Sequence, residues 1–405
     1  MDRRSTTSRK LSLPDFSPER VDLLIFFSQI KTTGHLMKLN TPFQLGSMQL
    51  AHRIVMPPLT RMRAGAADGV PSPLAATYYG QRATAGGLII AEGAQISRQA
   101  QGYPQTPGIY TDQQVEGWSK VAQAIKAKGG HFVLQLWHVG RISHSSLHEN
   151  GALPEAPSAI PPKGNAFDSK FGRVPYEVPH ALEIDEIQGI VADYERAADN
   201  AKNAGFDGVE IHAANGYLLQ QFLEDQSNQR TDIYGGSIEN RSRLLFEIVA
   251  AISRVWPMSQ IGVRLSPFSD VGDMADSDPN ALYTYVIGEL SKLGVGYLHL
   301  IEPQVRGGLG AEINAEAPES VCRMYRPLFS GPLIASGGFT AEKAEAALNE
   351  GIADLVAFGR LFIANPDLPN RLITGAELNK PNPKTFYGGA EIGYTDYPFL
   401  EELPA

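Results

Sequence analysis

The chain has 405 residues and carries 35 Lys and Arg against 44 Asp and Glu, a formal net charge of −9; at 43% hydrophobic and 20% charged residues its composition is globular rather than disordered. The acidic balance excludes broad binding to nucleic acid or anionic membranes, which want a surplus of Lys and Arg, but leaves room for a local basic pocket. The lone cysteine, Cys322, excludes an intrachain disulfide, a cysteine zinc site and a protein-held iron–sulfur cluster, and fits a reducing, cytoplasmic setting.

In chain order, residues 1–36 come first, with Arg3, Arg4, Arg9 and Lys10 among Ser and Thr. This faintly resembles a transit peptide, but Asp2, Asp15 and Glu19 run against one, and the apolar run 23–27 is too short for a signal-peptide core. The expectation is a disordered or loosely docked extension that the rest of the chain can dispense with. No stretch approaches the ~20 apolar residues of a bilayer span. From residue 50 onward, short apolar runs alternate with helical patterns. Eight strands are expected at 53–56, 87–91, 131–136, 208–212, 260–265, 297–300, 332–335 and 355–358. Runs such as Leu88-Ile89-Ile90 are continuously apolar, as in parallel strands buried on both faces.

Helices are expected between the strands, at 184–204, 241–255 and 279–293 among others, several ending in a glycine such as Gly205, Gly294 or Gly351 that accepts a left-handed stop. Eight strand–helix units predict a (β/α)8 TIM barrel, an α/β fold, spanning 37–405 as one domain. Residues 144–182, rich in Pro and Gly, read as a lid or short hairpins after the third strand. Residues 375–405 read as a tail packed over the barrel.

Barrel enzymes carry their chemistry at the C-terminal ends of the strands. The last two strands end in Gly337-Gly338 and Gly359-Arg360, a phosphate site in its simplest form: glycine backbone approaches an anion closely and a guanidinium grips its oxygens. The bland alternative is that the glycines turn the chain and Arg360 pairs with a carboxylate. The fourth strand ends in His212 and Asn215, two donors that can meet at one substrate oxygen, followed by Tyr217, which can supply a proton. His138, His144 and His148 have tolerable spacing for a metal but no carboxylate cluster with them, so no metal site is expected. Tyr234-Gly235-Gly236-Ser237 lacks the Lys-Ser/Thr of a P-loop and reads as a turn feeding the helix from Arg241.

These residues resemble a known family. Pro58-Leu59-Thr60-Arg61, Leu134-Gln135-Leu136-Trp137-His138, His212-Ala213-Ala214-Asn215-Gly216-Tyr217, the segment 232–241, Val263-Arg264-Leu265-Ser266-Pro267 and Phe358-Gly359-Arg360 follow, strand by strand, the pattern of the Old Yellow Enzyme family of FMN-dependent ene-reductases. The likeness runs from about Lys38 to the C-terminus. It is closest to the bacterial N-ethylmaleimide, xenobiotic and pentaerythritol tetranitrate reductases and their plant oxophytodienoate relatives. Residues 1–36 have no counterpart in it.

The resemblance implies non-covalent FMN with NAD(P)H as reductant. Pro58, Leu59 and Thr60 would border the flavin, with Thr60 on O4. Gly93, Gln135 and His212 would contact the isoalloxazine, Arg264 would stand near N1 and O2, and Gly337, Gly338, Gly359 and Arg360 would hold the phosphate. His212 and Asn215 would grip the substrate's carbonyl or nitro oxygen while Tyr217 protonates the carbon beside it. Tyr103, Trp137 and Tyr387 would shape the pocket. The implied substrates are α,β-unsaturated carbonyl compounds and nitroalkenes, with nitrate esters, nitroaromatics and quinones behind them, and the implied assembly is a monomer or homodimer. Two other classes stay open on the residues alone. A flavin-free phosphate-binding isomerase or aldolase would use the same glycine–arginine site. A non-catalytic flavin carrier would not need the His212, Asn215 and Tyr217 set.

Overall fold

A computed structural model describes residues 37–303 and 318–402. The extension expected at 1–36 lies outside the described residues. Eight parallel strands close into a barrel: Ile54–Met56, Leu88–Ile90, His131–Trp137, Gly208–Ala213, Ile261–Leu265, Tyr297–Ile301, Leu333–Ser336 and Leu355–Ala357. Each pairs with the next, and the eighth returns to the first through Val356 beside Ile54. Every expected strand is present, its ends displaced by one residue at most. Their apolar runs serve two cores at once. Val55, Leu88, Ile90, Val133, Ile334 and Leu355 fill the interior, while Ile54, Met56, Ile89, Phe132 and Leu134 face the helices.

At the end where the strands begin, a hairpin of Phe43–Leu45 with Met48–Leu50 closes the interior by adding Leu45, Met48 and Leu50 to its core. Higher up, Gly262 lies in register with Tyr297, and a Cβ there would come within 2.1 Å of the tyrosine ring. That glycine is space for an aromatic ring inside the barrel. The second strand breaks at Ala91-Glu92-Gly93 and resumes as Ala94–Gln95 beside Leu136 and Trp137. A side chain on Gly93 would meet the Trp137 indole at 2.7 Å, so the break seats the strand against that ring.

The helix Pro279–Leu293 has the expected bounds: Asp278 caps its start by accepting from the Ala281 N–H, and Gly294 ends it at φ 70°. Ile184–Asn203 stops one residue before the expected end and buries Ile187, Ile190, Tyr194, Ala197, Ala198 and Ala201. The helix expected at 241–255 instead runs Ile238–Ile252, because Ser237 is its N-cap and accepts from the Asn240 N–H. Residues 144–182 hold an antiparallel hairpin, Asn165–Phe167 with Arg173–Pro175, and a short parallel pairing of Glu155–Ala156 with His180–Ala181.

The tail is tied down by arginines from the barrel. Arg61 Nε donates to the Phe386 carbonyl at 2.9 Å and Nη2 to Gly393 at 2.7 Å, Arg63 reaches Thr385, Ala390 and Ile392, and Tyr394 stacks on Tyr78. Hydrogen bonds from a charged donor contribute about 1.5–3 kcal/mol each. Among the described residues no helix is long and apolar enough to cross a membrane.

Candidate functional site

A cavity of about 530 Å³ opens at the C-terminal ends of the strands, within the roughly 300–1,000 Å³ of small-molecule sites. Pro57, Pro58, Leu59 and Thr60 enter it from the first strand, Asn215 and Tyr217 from the fourth and Arg264 from the fifth. Gly337, Gly338, Gly359 and Arg360 form the wall after the seventh and eighth strands, and Phe386 and Tyr387 of the tail reach in from above. Tyr103 lines it as expected, while Trp137, Gln135, Gly93 and His212 stand one layer behind, off the lining surface.

That layer is continuous with the wall. Trp137, fully buried, stacks on Tyr103 at a centroid distance of 5.6 Å and meets Tyr217 edge-on at 5.0 Å. His212 meets Tyr217 edge-on at 5.0 Å. The turn that presents these groups is tight. Asn215 has φ 57° and Gly216 φ 78°, a Cβ on Gly216 would come within 2.3 Å of the Val271 carbonyl oxygen, and the Asn215 N–H donates to Ser266 Oγ at 2.9 Å. Tyr217 then caps the short helix Leu218–Leu223 with its backbone, leaving the phenol free to face the cavity.

The electrostatics favour uncharged donors. Tyr217 and Tyr103 share a hydrogen bond of 3.1 Å between hydroxyls, and burial raises both phenols so that both keep their protons. Burial, then the charge of Arg264, pushes the His212 imidazole well below its ordinary value, so it is neutral at pH 7. Its Nδ1 has no partner among the described residues, nor has the buried Nε of Arg264. Unpaired buried donors are costly, of order 1–3 kcal/mol each, and mark a place where a ligand's polar atoms belong.

An isoalloxazine and a phosphate both fit this arrangement. Pro58, Leu59 and Thr60 offer a flat edge, Arg264 a buried cation with an unspent donor, and the four-residue glycine–arginine wall a backbone that can approach an anion. Gly337 at φ 120° and Gly338 at φ 70° hold conformations that other residues rarely adopt, and a Cβ on Gly337 would press on Glu302 at 3.0 Å. Among the described residues Arg360 has no carboxylate partner, so the alternative in which it serves a structural ion pair finds no support there.

The three histidines considered for a metal go separate ways. His138 bonds Glu155 at 3.1 Å, His148 bonds Ser143 at 2.9 Å and His144 bonds Ser146 at 3.0 Å. Other contributors had no signal in the sequence reading. Phe167 and Arg173 of the hairpin, and Tyr176 just after it, line the cavity rim, with the Arg173 guanidinium 3.6 Å above the Phe167 ring centroid. Met62, at φ 52°, also lines it.

Comparison with known proteins places the chain closely. Residues 38–379 match the model of the NADH:flavin oxidoreductase / NADH oxidase family. The chain is 48% identical to 12-oxophytodienoate reductase 1 of Oryza sativa subsp. japonica over 365 residues, 90% of this chain and 93% of that protein. It is 44% identical to the flavin oxidoreductase hxnT of Emericella nidulans, over 90% of this chain and 98% of the relative. Among solved structures, morphinone reductase in complex with tetrahydroNAD superposes with a TM-score of 0.83 at 50% identity, covering 90% of this chain and 98% of that one.

Proposed function

The chain belongs to the NADH:flavin oxidoreductase / NADH oxidase family, in the Old Yellow Enzyme group, as an FMN-dependent oxidoreductase reduced by NAD(P)H, and from that premise we propose that it reduces the C=C bond of α,β-unsaturated carbonyl compounds and nitroalkenes. The observation that carries this reading is the meeting of Asn215, Tyr217 and Arg264 in one cavity, with His212 directly behind Tyr217. When bound, FMN supplies two-electron redox chemistry between the coenzyme and the acceptor.

The protein's own residues do the rest. His212, neutral, and Asn215 donate to the acceptor's carbonyl or nitro oxygen and stabilise the negative charge that develops there as the double bond is reduced. Tyr217, kept protonated by burial, gives its proton to the carbon beside that group, and the Tyr103 hydroxyl at 3.1 Å stabilises the phenolate left behind. Arg264 would offset negative charge at the pyrimidine end of the ring, and Gln135 and Thr60 would offer the isoalloxazine further hydrogen bonds. Gly337, Gly338, Gly359 and Arg360 hold the phosphate. Trp137, Tyr103 and Tyr387 form the apolar walls that orient the acceptor and keep water out. A cytoplasmic monomer or homodimer acting on small molecules completes the reading, in keeping with the single, buried Cys322.

Anaerobic titration tests it. NADH or NADPH should bleach the yellow protein, 2-cyclohexenone should restore the colour, and acid precipitation should release the chromophore as free FMN. Bleached protein that no enone or nitroalkene reoxidises would overturn the ene-reductase assignment.

A further inference from the structure

Below the cavity floor the barrel interior turns polar on four consecutive strands. Gln135 Nε2 on the third strand donates to Glu210 Oε1 on the fourth at 2.8 Å, and His299 Nδ1 on the sixth donates to Glu210 Oε2 at 2.8 Å. Arg264 stands on the fifth strand, in register with both His212 and His299. The side chains of Glu210 and His299 are 0% exposed, and neither lines the cavity. The reaction described above gives neither of them a part.

A carboxylate sealed inside a barrel is expensive unless its partners compensate it. Burial alone would push Glu210 up, but His299, Arg264 and Gln135 outweigh it and hold the carboxyl below its usual range. Burial and Arg264 together push His299 down against the pull of Glu210. Glu210 thus stays ionised, with the charge of Arg264 among the causes that keep it so.

We propose that Glu210, braced by His299, is a positioning residue for the flavin: it fixes which way the Gln135 amide faces and sets the charge beneath the ring by offsetting Arg264. This rests on the reading in which Arg264 and Gln135 face the isoalloxazine. With one N–H of its NH₂ held by Glu210, Gln135 has its amide plane fixed and its carbonyl oxygen turned away from the carboxylate, where that oxygen can accept from an N–H of the ring. Two-electron reduction adds negative charge to the flavin, so Arg264 favours the reduced form and Glu210 opposes it. The balance between them is a built-in setting of the reduction potential.

Glu210→Gln removes the charge and keeps the shape. The His299 ring can follow by changing tautomer, since its Nε2 has no partner among the described residues and can take the proton. The expected result is a grip on reduced relative to oxidised FMN stronger by about ten-fold, a midpoint raised by ~30 mV for a two-electron couple. Glu210→Asp keeps the charge and should leave the midpoint near that of the unmodified protein, although its shorter arm disturbs packing more. Should Glu210→Gln not accumulate as folded protein, Glu210→Gln with His299→Gln replaces the pair by a chain of amides whose donors and acceptors still match, and the same rise is expected. An unchanged or lowered midpoint without the carboxylate, or an equal shift in Glu210→Asp, overturns the inference. An unmodified protein that takes up no FMN overturns the reading beneath it, and the inference with it. An unmodified protein that does, with a midpoint that Glu210→Gln fails to raise, overturns the inference alone.

Discussion

Where the barrel strands begin, the interior is filled by Leu45, Met48 and Leu50 of the N-terminal hairpin against Val55, Leu88 and Leu355; where they end, it holds Gln135, Glu210, Arg264 and His299 beneath an open cavity. The first end is closed by packed aliphatic side chains. The second keeps buried nitrogens of His212, Arg264 and His299 without a partner among the described residues. One strand such as Gly208–Ala213 crosses both regimes within six residues. The contrast shows how a single fold divides its labour: stability is collected at one mouth of the barrel and spent on chemistry at the other.

Substitutions at the two ends should therefore fail in different ways. The largest effect is expected from Tyr217→Phe, which leaves the ring in its contacts with Trp137 and His212 but deletes the proton. Reoxidation by cyclohexenone, followed by stopped-flow absorbance, should slow by roughly 10²–10⁴-fold, whereas reoxidation by a quinone, which needs no carbon protonation, should slow far less. Equal slowing with both acceptors would make Tyr217 a wall rather than an acid.

At the opposite mouth, Leu50→Ala should cost about 2–5 kcal/mol of stability through the cavity it leaves, read from urea midpoints, with the flavin midpoint unmoved. A shifted flavin midpoint would mean that the two ends are coupled and the division is false.

Glu92, in the break of the second strand, sharpens the contrast through pH. Burial raises its carboxyl from 4.5 to about 7, against the opposing Arg61 N–H bond and charge. The folded protein then binds more protons than the unfolded chain between those values, so this group lowers stability as pH rises from about 4.5 through 7, and the loss is complete above. Glu92→Gln should abolish that loss, gaining of order 3 kcal/mol relative to the unmodified protein between pH 4 and pH 8. The penalty of Leu50→Ala should be the same at both pH values. Denaturation curves at the two values check both, and a Glu92→Gln gain independent of pH would contradict the assignment.

The smallest effect is expected from removing residues 1–36. The family match begins at residue 38, and the shortened protein should bind FMN and reduce cyclohexenone as the full chain does. A large loss of flavin in a dialysis assay would assign the extension a part in the site.

Much of the apolar end is legible in the chain because burial on both faces demands continuous runs, and runs as short as Leu88-Ile89-Ile90 behind Gly86-Gly87 read as strands rather than helices. The strand-end residues are legible too, through position: Asn215, Tyr217, Arg264 and Arg360 each follow or end a recognisable strand. The polar interior hides in plain view. Glu210 lies between Val209 and Ile211, and His299 between Leu298 and Leu300, so each breaks an apolar run at an inward position, two residues before His212 in the first case. A charged residue in the middle of a doubly buried strand is the signal that points there. The rim has no comparable signature. Phe167, Arg173 and Tyr176 owe their place to a hairpin that follows no period, and only the folded chain brings them over the cavity. The Ser237 cap shows the same limit locally, since a serine after two glycines reads equally well as loop.

The arginine ties between barrel and tail have a consequence for how the protein is made. Arg61 waits for the carbonyl of Gly393, 332 positions later, and at the ribosome's ~5–20 residues per second that is about a quarter of a minute to a minute of synthesis. For nearly all of that interval, until Thr385 and Phe386 are made, a guanidinium destined for complete burial lacks its carbonyl acceptors, and the wall that Phe386 and Tyr387 contribute is missing. The cavity wall is thus completed by a segment made more than three hundred residues after the strand end it covers, so that a chain cut before Phe386 would hold the barrel strands with one side of the cavity open.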